Sequence, residues 1–225
     1  MKKSFAAFAL LLTLACSDGP SGPTTGEVIT LTSAQAASLV ARIEAAGAQD
    51  PSIAALADTV DVVIKAGAQA RQVDITTDLG DGPYWAVSLH RFGGSTTTFD
   101  VIAFNEPSNP TRFIIVAGVS LGGSQPASSV TGSIGTDGTT SRTGHMFSVS
   151  GSQVSAWHVN AGTATLTAHP TTQACPAFPG PGTCVSSTMD VAFNFSGSVA
   201  EGAATGQRVA SGAVTDIPGV RLSQP

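Results

Sequence analysis

The alternation of apolar and polar positions changes period once along this chain. Between Ser33 and Ala46, Leu39, Val40 and Ile43 recur at helical spacing, with Ser33 placed to cap the start and Gly47 to end it. Asp50-Pro51 then offers a second N-cap, followed by a proline at the first helical position, where its missing N–H costs nothing. Ile53, Leu56, Ala57, Val60, Val63 and Ile64 form an apolar stripe, Lys65 suits the C-terminal dipole and Gly67 stops the run. The β-branched stretch Val60 to Ile64 would also suit a strand. The pattern predicts a helical hairpin within residues 31–70, packed on the domain C-terminal to it.

From Gln72 onward the period is two. Strands are expected at 84–92, 99–104 and 112–119, the last two joined by the turn Glu106-Pro107-Ser108-Asn109-Pro110. Shorter strands are expected at 129–134, 144–149, 154–159 and 163–168, separated by turns rich in Gly, Ser and Asp. The clearest alternation is Val185, Ser187, Met189, Val191, Phe193 and Phe195 on one face, with Asp190, Ala192 and Asn194 among the residues opposite. Val199, Val209, Val214 and Val220 belong to weaker strands. The expected fold is α+β, mainly β: a short N-terminal helical hairpin followed by an antiparallel β-sandwich or curled sheet over residues 71–225.

The first thirty residues stand apart. Lys2 and Lys3 precede an apolar stretch from Phe5 to Ala15 that would span roughly 16 Å as a helix, about half of a bilayer core. It reads as an export segment, residues 1–15. The stretch ends in Leu12-Thr13-Leu14-Ala15-Cys16, which resembles the lipobox of bacterial lipoproteins, with Thr13 where that family usually has an aliphatic residue. The resemblance covers about sixteen residues and implies cleavage after Ala15, diacylglycerol on the Cys16 thiol and an acyl chain such as palmitate on the new terminus. Residues 16–30 are then the lipidated cysteine and a flexible tether, SDGPSGPTTG from Ser17 to Gly26 containing nothing that could enter a core. Ser17 in place of the inner-membrane retention aspartate of that family favours the outer membrane in a diderm.

Composition narrows the function classes. Removing Lys2 and Lys3 from the ten basic residues leaves eight against fifteen acidic ones, a net charge of −7. A chain of that sign disfavours nucleic acid, and no polybasic membrane patch is present. With Cys16 lipidated, Cys175 and Cys184 remain, and an oxidising envelope is expected to pair them across a ten-residue Pro/Gly loop. Such a staple would add roughly 2.5–3 kcal/mol in the chain-entropy model.

The motif that most invites a catalytic reading is Gly118-Val119-Ser120-Leu121-Gly122, a GxSxG nucleophile elbow after a strong strand. Asp137 or Asp190 could supply the acid of a triad, and for Asp137 a later histidine, His158 or His169, would complete it in chain order. The segment after Gly122 is turn-like and cannot supply the helix that an elbow needs. His145, His158 and His169 could approach one another on strands but lack zinc-site spacing. Asp74, Asp78 and Asp81 form an acidic turn without an EF-hand pattern, and Glu44, Glu106 and Glu201 lie in contexts that do not raise a carboxyl pKa. No metal or cofactor is expected. Trp157 and Phe178 remain as candidates for stacking on a glycan or anchoring an envelope protein. The reading is a lipid-anchored envelope protein with a non-catalytic binding or structural role; its alternative is a small envelope serine hydrolase using Ser120.

Overall fold

The computed structural model describes residues 26–48, 68–93, 96–122, 130–133, 143–175, 182–202 and 206–222. Strand β1 (Val28–Thr30) leads into helix α1 (Ser33–Gly47). The cap is Thr32 rather than Ser33: its Oγ1 accepts from the Gln35 N–H at 3.2 Å, and Gln35 Oε1 accepts from the Thr32 N–H at 2.8 Å. This reciprocal pair satisfies two donors at the helix start. Among the described residues, nine strands come after it: β2 (Gln69–Thr77), β3 (Gly82–Gly93), β4 (Thr96–Phe104), β5 (Arg112–Gly122), β6 (Val130–Ser133), β7 (Thr143–Ser150), β8 (Gln153–Cys175), β9 (Gly182–Gly202) and β10 (Arg208–Leu222).

The expected sandwich or curled sheet is replaced by a closed eight-stranded antiparallel barrel. Its wall runs β2-β3-β4-β5-β7-β8-β9-β10 and returns to β2, with Gly212 opposite Ile75 and Ala210 opposite Thr77. Where β2 begins, β10 also meets β3 directly, in parallel, with Val220 opposite Leu89. Closure gives both sides of each wall strand a partner and removes the exposed edges of an open sheet. Long strands make closure reachable. The segments expected as separate strands at 154–159 and 163–168 are one strand, β8, which passes Asn160 with a register shift between Val159 and Ala161 instead of turning. A bulge absorbs the extra residue and sharpens the local twist.

Two apolar clusters divide the molecule by wall face. Inside lie Val73, Ile75, Tyr84, Val101, Ile114, Met146, Trp157, Leu166, Val191, Phe193 and Val214 among others, with every wall strand contributing. The second cluster sits outside, where Leu31 and the α1 residues Ala36, Leu39, Ile43 and Ala46 cover Val87, Leu89, Ile102, Phe104, Phe113, Ile115 and Phe147. Strands β3, β4, β5 and β7 are therefore apolar on both faces. Elsewhere the outer face is wet: Asp74, Thr76, Thr163, Ala192, Asn194 and Ala213 are exposed. Arg42 pins the helix to the β4–β5 connection through Asn109 Oδ1 at 2.8 Å, and Asn105 Oδ1 shapes that connection by accepting from the Thr111 and Arg112 N–H groups.

Two further expectations change. The helical hairpin is represented by α1 alone among the described residues, since the second helix, the stripe from Ile53 to Ile64, lies outside them. The disulfide is absent among the described residues, and the barrel register gives the reason. Cys184 stands opposite Gln173, and Cys175 opposite Gly182. The two cysteines are thus diagonal neighbours, a relation that sets Cα atoms roughly 7–8 Å apart, whereas a disulfide needs about 4.4–6.8 Å. Part of the expected loop, residues 182–184, is strand instead.

If α1 is an integral layer, truncating its central buried residue will destabilise the whole barrel. Leu39 is 1 % exposed. Leu39→Ala is expected to cost about 2–5 kcal/mol, read as a lower denaturant midpoint by tryptophan fluorescence, while Ala37→Ser on the exposed face leaves the midpoint nearly unchanged.

Candidate functional site

The structure places the sequence candidates on different parts of the wall. Ser120 lies within β5, opposite Thr98 on β4, and the strand continues to Gly122. The GxSxG segment is thus extended backbone rather than a strand-to-helix turn. His158 and His169 both belong to β8, and β7 stands between β5 and β8 in the wall. Asp137 and Phe178 lie outside the described residues, as does Cys16.

An acid–histidine pair is formed on the outer surface. His169 Nε2 lies 2.8 Å from Asp190 Oδ2, with the side chains 49 % and 32 % exposed. The other carboxylate oxygen of Asp190 accepts from the Asp216 N–H at 2.9 Å. Asp216 is the extra residue of a bulge in β10, between Val214 and Ile217, and adopts a positive φ of 57°. Its carbonyl accepts from Arg71 Nε at 2.8 Å, and its carboxylate accepts from Thr188 Oγ1 at 3.4 Å. Both oxygens of Asp190 and the backbone of Asp216 are engaged in fixing this bulge. The arrangement works as a clasp between β8, β9, β10 and β2, and exposure keeps its ion pair weak.

A second pair of imidazoles belongs to the covered outer face. His145 and His158 are cross-strand partners with ring centroids 4.8 Å apart at 65°, and His145 also stacks near Phe147 at 6.1 Å. His145 and Asp100 are both buried. Their register partners Ile115 and Leu89 belong to the cluster beneath the helix, so both residues sit at the border of that layer. Among the described residues no three His, Cys, Asp or Glu side chains gather as metal ligands.

The remaining polar concentration is inside one end of the barrel, at the 78–81 turn. Tyr84 is fully buried and donates its hydroxyl to Gly80 O at 3.0 Å, while Arg112 Nη1 donates to Leu79 O at 2.7 Å. Burial pushes the Tyr84 phenol above its usual range; Arg112 opposes this and Asp81 adds to it. Gly80 has φ +129°, and a Cβ there would lie 1.7 Å from Arg112 Nη1, so only glycine fits. At the same end Trp157 points into the interior and is 3 % exposed, which makes it core rather than a surface platform. The guanidinium of Arg208, the first residue of β10, lies 5.2 Å from the Trp157 ring centroid. Trp157 Nε1 and Arg208 Nε are both buried without a hydrogen-bond partner. A buried donor left unmatched costs about 1–3 kcal/mol.

No family model matches the chain, and neither the curated proteins nor the solved structures contain a match. Arg208 and Asp216 are the residues that sequence reasoning passes over. Arg208 comes after a Gly-rich turn and resembles any surface arginine. Asp216 is marked only by the break in alternation between Val214 and Ile217. Because its φ is positive, Asp216→Gly is expected to hold stability within about 0.5 kcal/mol, whereas the β-branched Asp216→Val should cost a further ~1–2 kcal/mol. Paired urea denaturation curves read that difference.

Proposed function

We propose that the chain is a lipid-anchored protein of the bacterial envelope whose barrel binds or scaffolds and does not catalyse. The observation that carries this reading is the apolar packing of the described interior side chains. One interior cavity, lined by Val73, Ala86, Ala103, Val191, Phe193 and Val214, has a volume of about 10 Å³ and almost wholly apolar walls. Such a space holds at most about one water and no organic substrate. Support also comes from the extended backbone at Ser120 and from the engagement of Asp190 in the β10 bulge, away from β5. The exposed polar positions of β2, β8 and β9 outside the wall, with apolar side chains within, invert the pattern of a lipid-embedded barrel. A barrel of that kind suits a position above the membrane surface, held by an acyl chain on Cys16 through the tether. An envelope protein or a glycan is the expected partner class, and the acidic balance argues against nucleic acid.

Metabolic labelling with a clickable fatty acid is expected to mark the wild type and to leave Cys16→Ser unlabelled; equal labelling of both would remove the anchor. In the same extract a fluorophosphonate probe should fail to label the wild type. Labelling lost in Ser120→Ala would restore the hydrolase.

A further inference from the structure

Four arginines have described, partly buried side chains: Arg42, Arg71, Arg112 and Arg208. Three of them hold a named oxygen: Arg42 takes Asn109 Oδ1, Arg71 takes Asp216 O and Gly26 O, and Arg112 takes Leu79 O. Arg208 holds none. Its guanidinium lies against the face of Trp157, and its Nε–H is buried beside a tryptophan whose own N–H is also buried and unmatched. Two donors left open at one place, one of them carrying a full positive charge, are costly unless an acceptor completes them.

Among the described residues, the neighbours do not provide that acceptor. Asp78, on the adjoining turn, has its Oδ2 engaged by the Val209 N–H at 3.2 Å. Gly197, opposite Arg208, has no side chain to offer; a Cβ there would stand 2.7 Å from His158 O and 3.1 Å from Met146 Cε. Met146 and Val159, the neighbours of Trp157 in the inner cluster, are apolar. Arg208 itself is partly exposed at the rim, so a rotamer change of its side chain opens the space above the indole.

We propose that this end of the barrel binds a small carboxylate, whose oxygens accept from Arg208 Nε–H and Trp157 Nε1–H. A guanidinium edge matches a planar carboxylate, and charge-assisted hydrogen bonds of this kind are about twice as strong as neutral ones. The guanidinium of Arg208, near Asp78 in a chain of net charge −5, favours a monoanion over a polyanion. The site names a ligand class for the binding role proposed above and rests on that role. Its test reads the two donors directly, whereas fatty-acid labelling reads the anchor, so either can fail alone.

The probe is acetate, titrated into the full chain against sodium chloride at matched ionic strength, with ¹⁵N NMR of the Trp157 indole and Arg208 Nε–H resonances as readout. Trp85→Phe assigns the indole signal, since the chain has two tryptophans. Both resonances are expected to shift saturably with acetate and not with chloride. Arg208→Gln, confirmed as folded by circular dichroism, should weaken half-saturation at the indole by about tenfold or more. No acetate-specific shift at either resonance would show that water alone completes the donors, and the proposal would be wrong. An unchanged half-saturation in Arg208→Gln would place any binding elsewhere and equally overturn it. If that variant does not fold, the wild-type titration decides: paired saturable shifts support the site and their absence refutes it.

Discussion

Every strand of a sheet carries two rows of backbone donors and acceptors, and a sheet without edges must match them all to other strands. Here that requirement falls on β10. It pairs with β9 along most of its length, closes on β2 from Ala210 to Gly212, and meets β3 in parallel from Gly219 to Leu222. The β10 bulge at Thr215-Asp216 lies between the last two contacts. There Asp190, Thr188 and Arg71 from neighbouring strands converge on Asp216. The clasp that resembles part of a catalytic arrangement thus sits where the final strand bends from one partner to the next. Its physical role is closure.

Closure in turn fixes what each face can do. An eight-stranded barrel has an interior just wide enough to be filled by side chains. Trp157, Tyr84, Met146, Phe193 and the aliphatic residues fill this one, with small residues such as Ala86, Ala103 and Gly212 where space is short. Gly212 is one such place, since a Cβ there would come within 3.1 Å of the Phe193 ring. The outside is then divided into an apolar sector under α1 and a polar sector on β8, β9 and β10. Among the described residues, Arg208 over Trp157 is a rim feature whose Nε–H and indole N–H are unmatched.

Much of this organisation is legible in the chain. The helix from Ser33 to Gly47, the strands near 84–92, 99–104 and 112–119 and the inward set Met189, Val191 and Phe193 follow from period and turn chemistry. The barrel does not, for two reasons. The polar, Gly-containing stretch around Asn160-Ala161-Gly162 has the composition of a turn, and only cross-strand pairing holds it as a bulge within one 23-residue strand. The second reason lies in Phe113-Ile114-Ile115-Val116, apolar at every position and buried on both faces. Such an unbroken run signals a strand covered on both sides, which a search for strict alternation does not separate from a half-buried one. Cys175 and Cys184 mislead because spacing carries no register: two strands offset by two residues keep them apart. Trp157 is legible as a residue of interest, but its partner Arg208 is 51 positions away and joins it only when β10 closes the wall.

Closure is the claim on which the rest stands, and backbone amide hydrogen exchange tests it most directly. In a closed barrel the amides of β2 and β10 that point across the seam, at Thr76, Asp78 and Ser211, have no solvent-facing edge; the Asp78 N–H donates to Val209 O. They should exchange as slowly as those of β4 and β5 in the middle of the wall, all opening with the global unfolding free energy. If instead one edge of β2 or of β10 exchanges on the timescale of a free strand while β4 and β5 stay protected, the sheet is open at that seam and the barrel account is wrong.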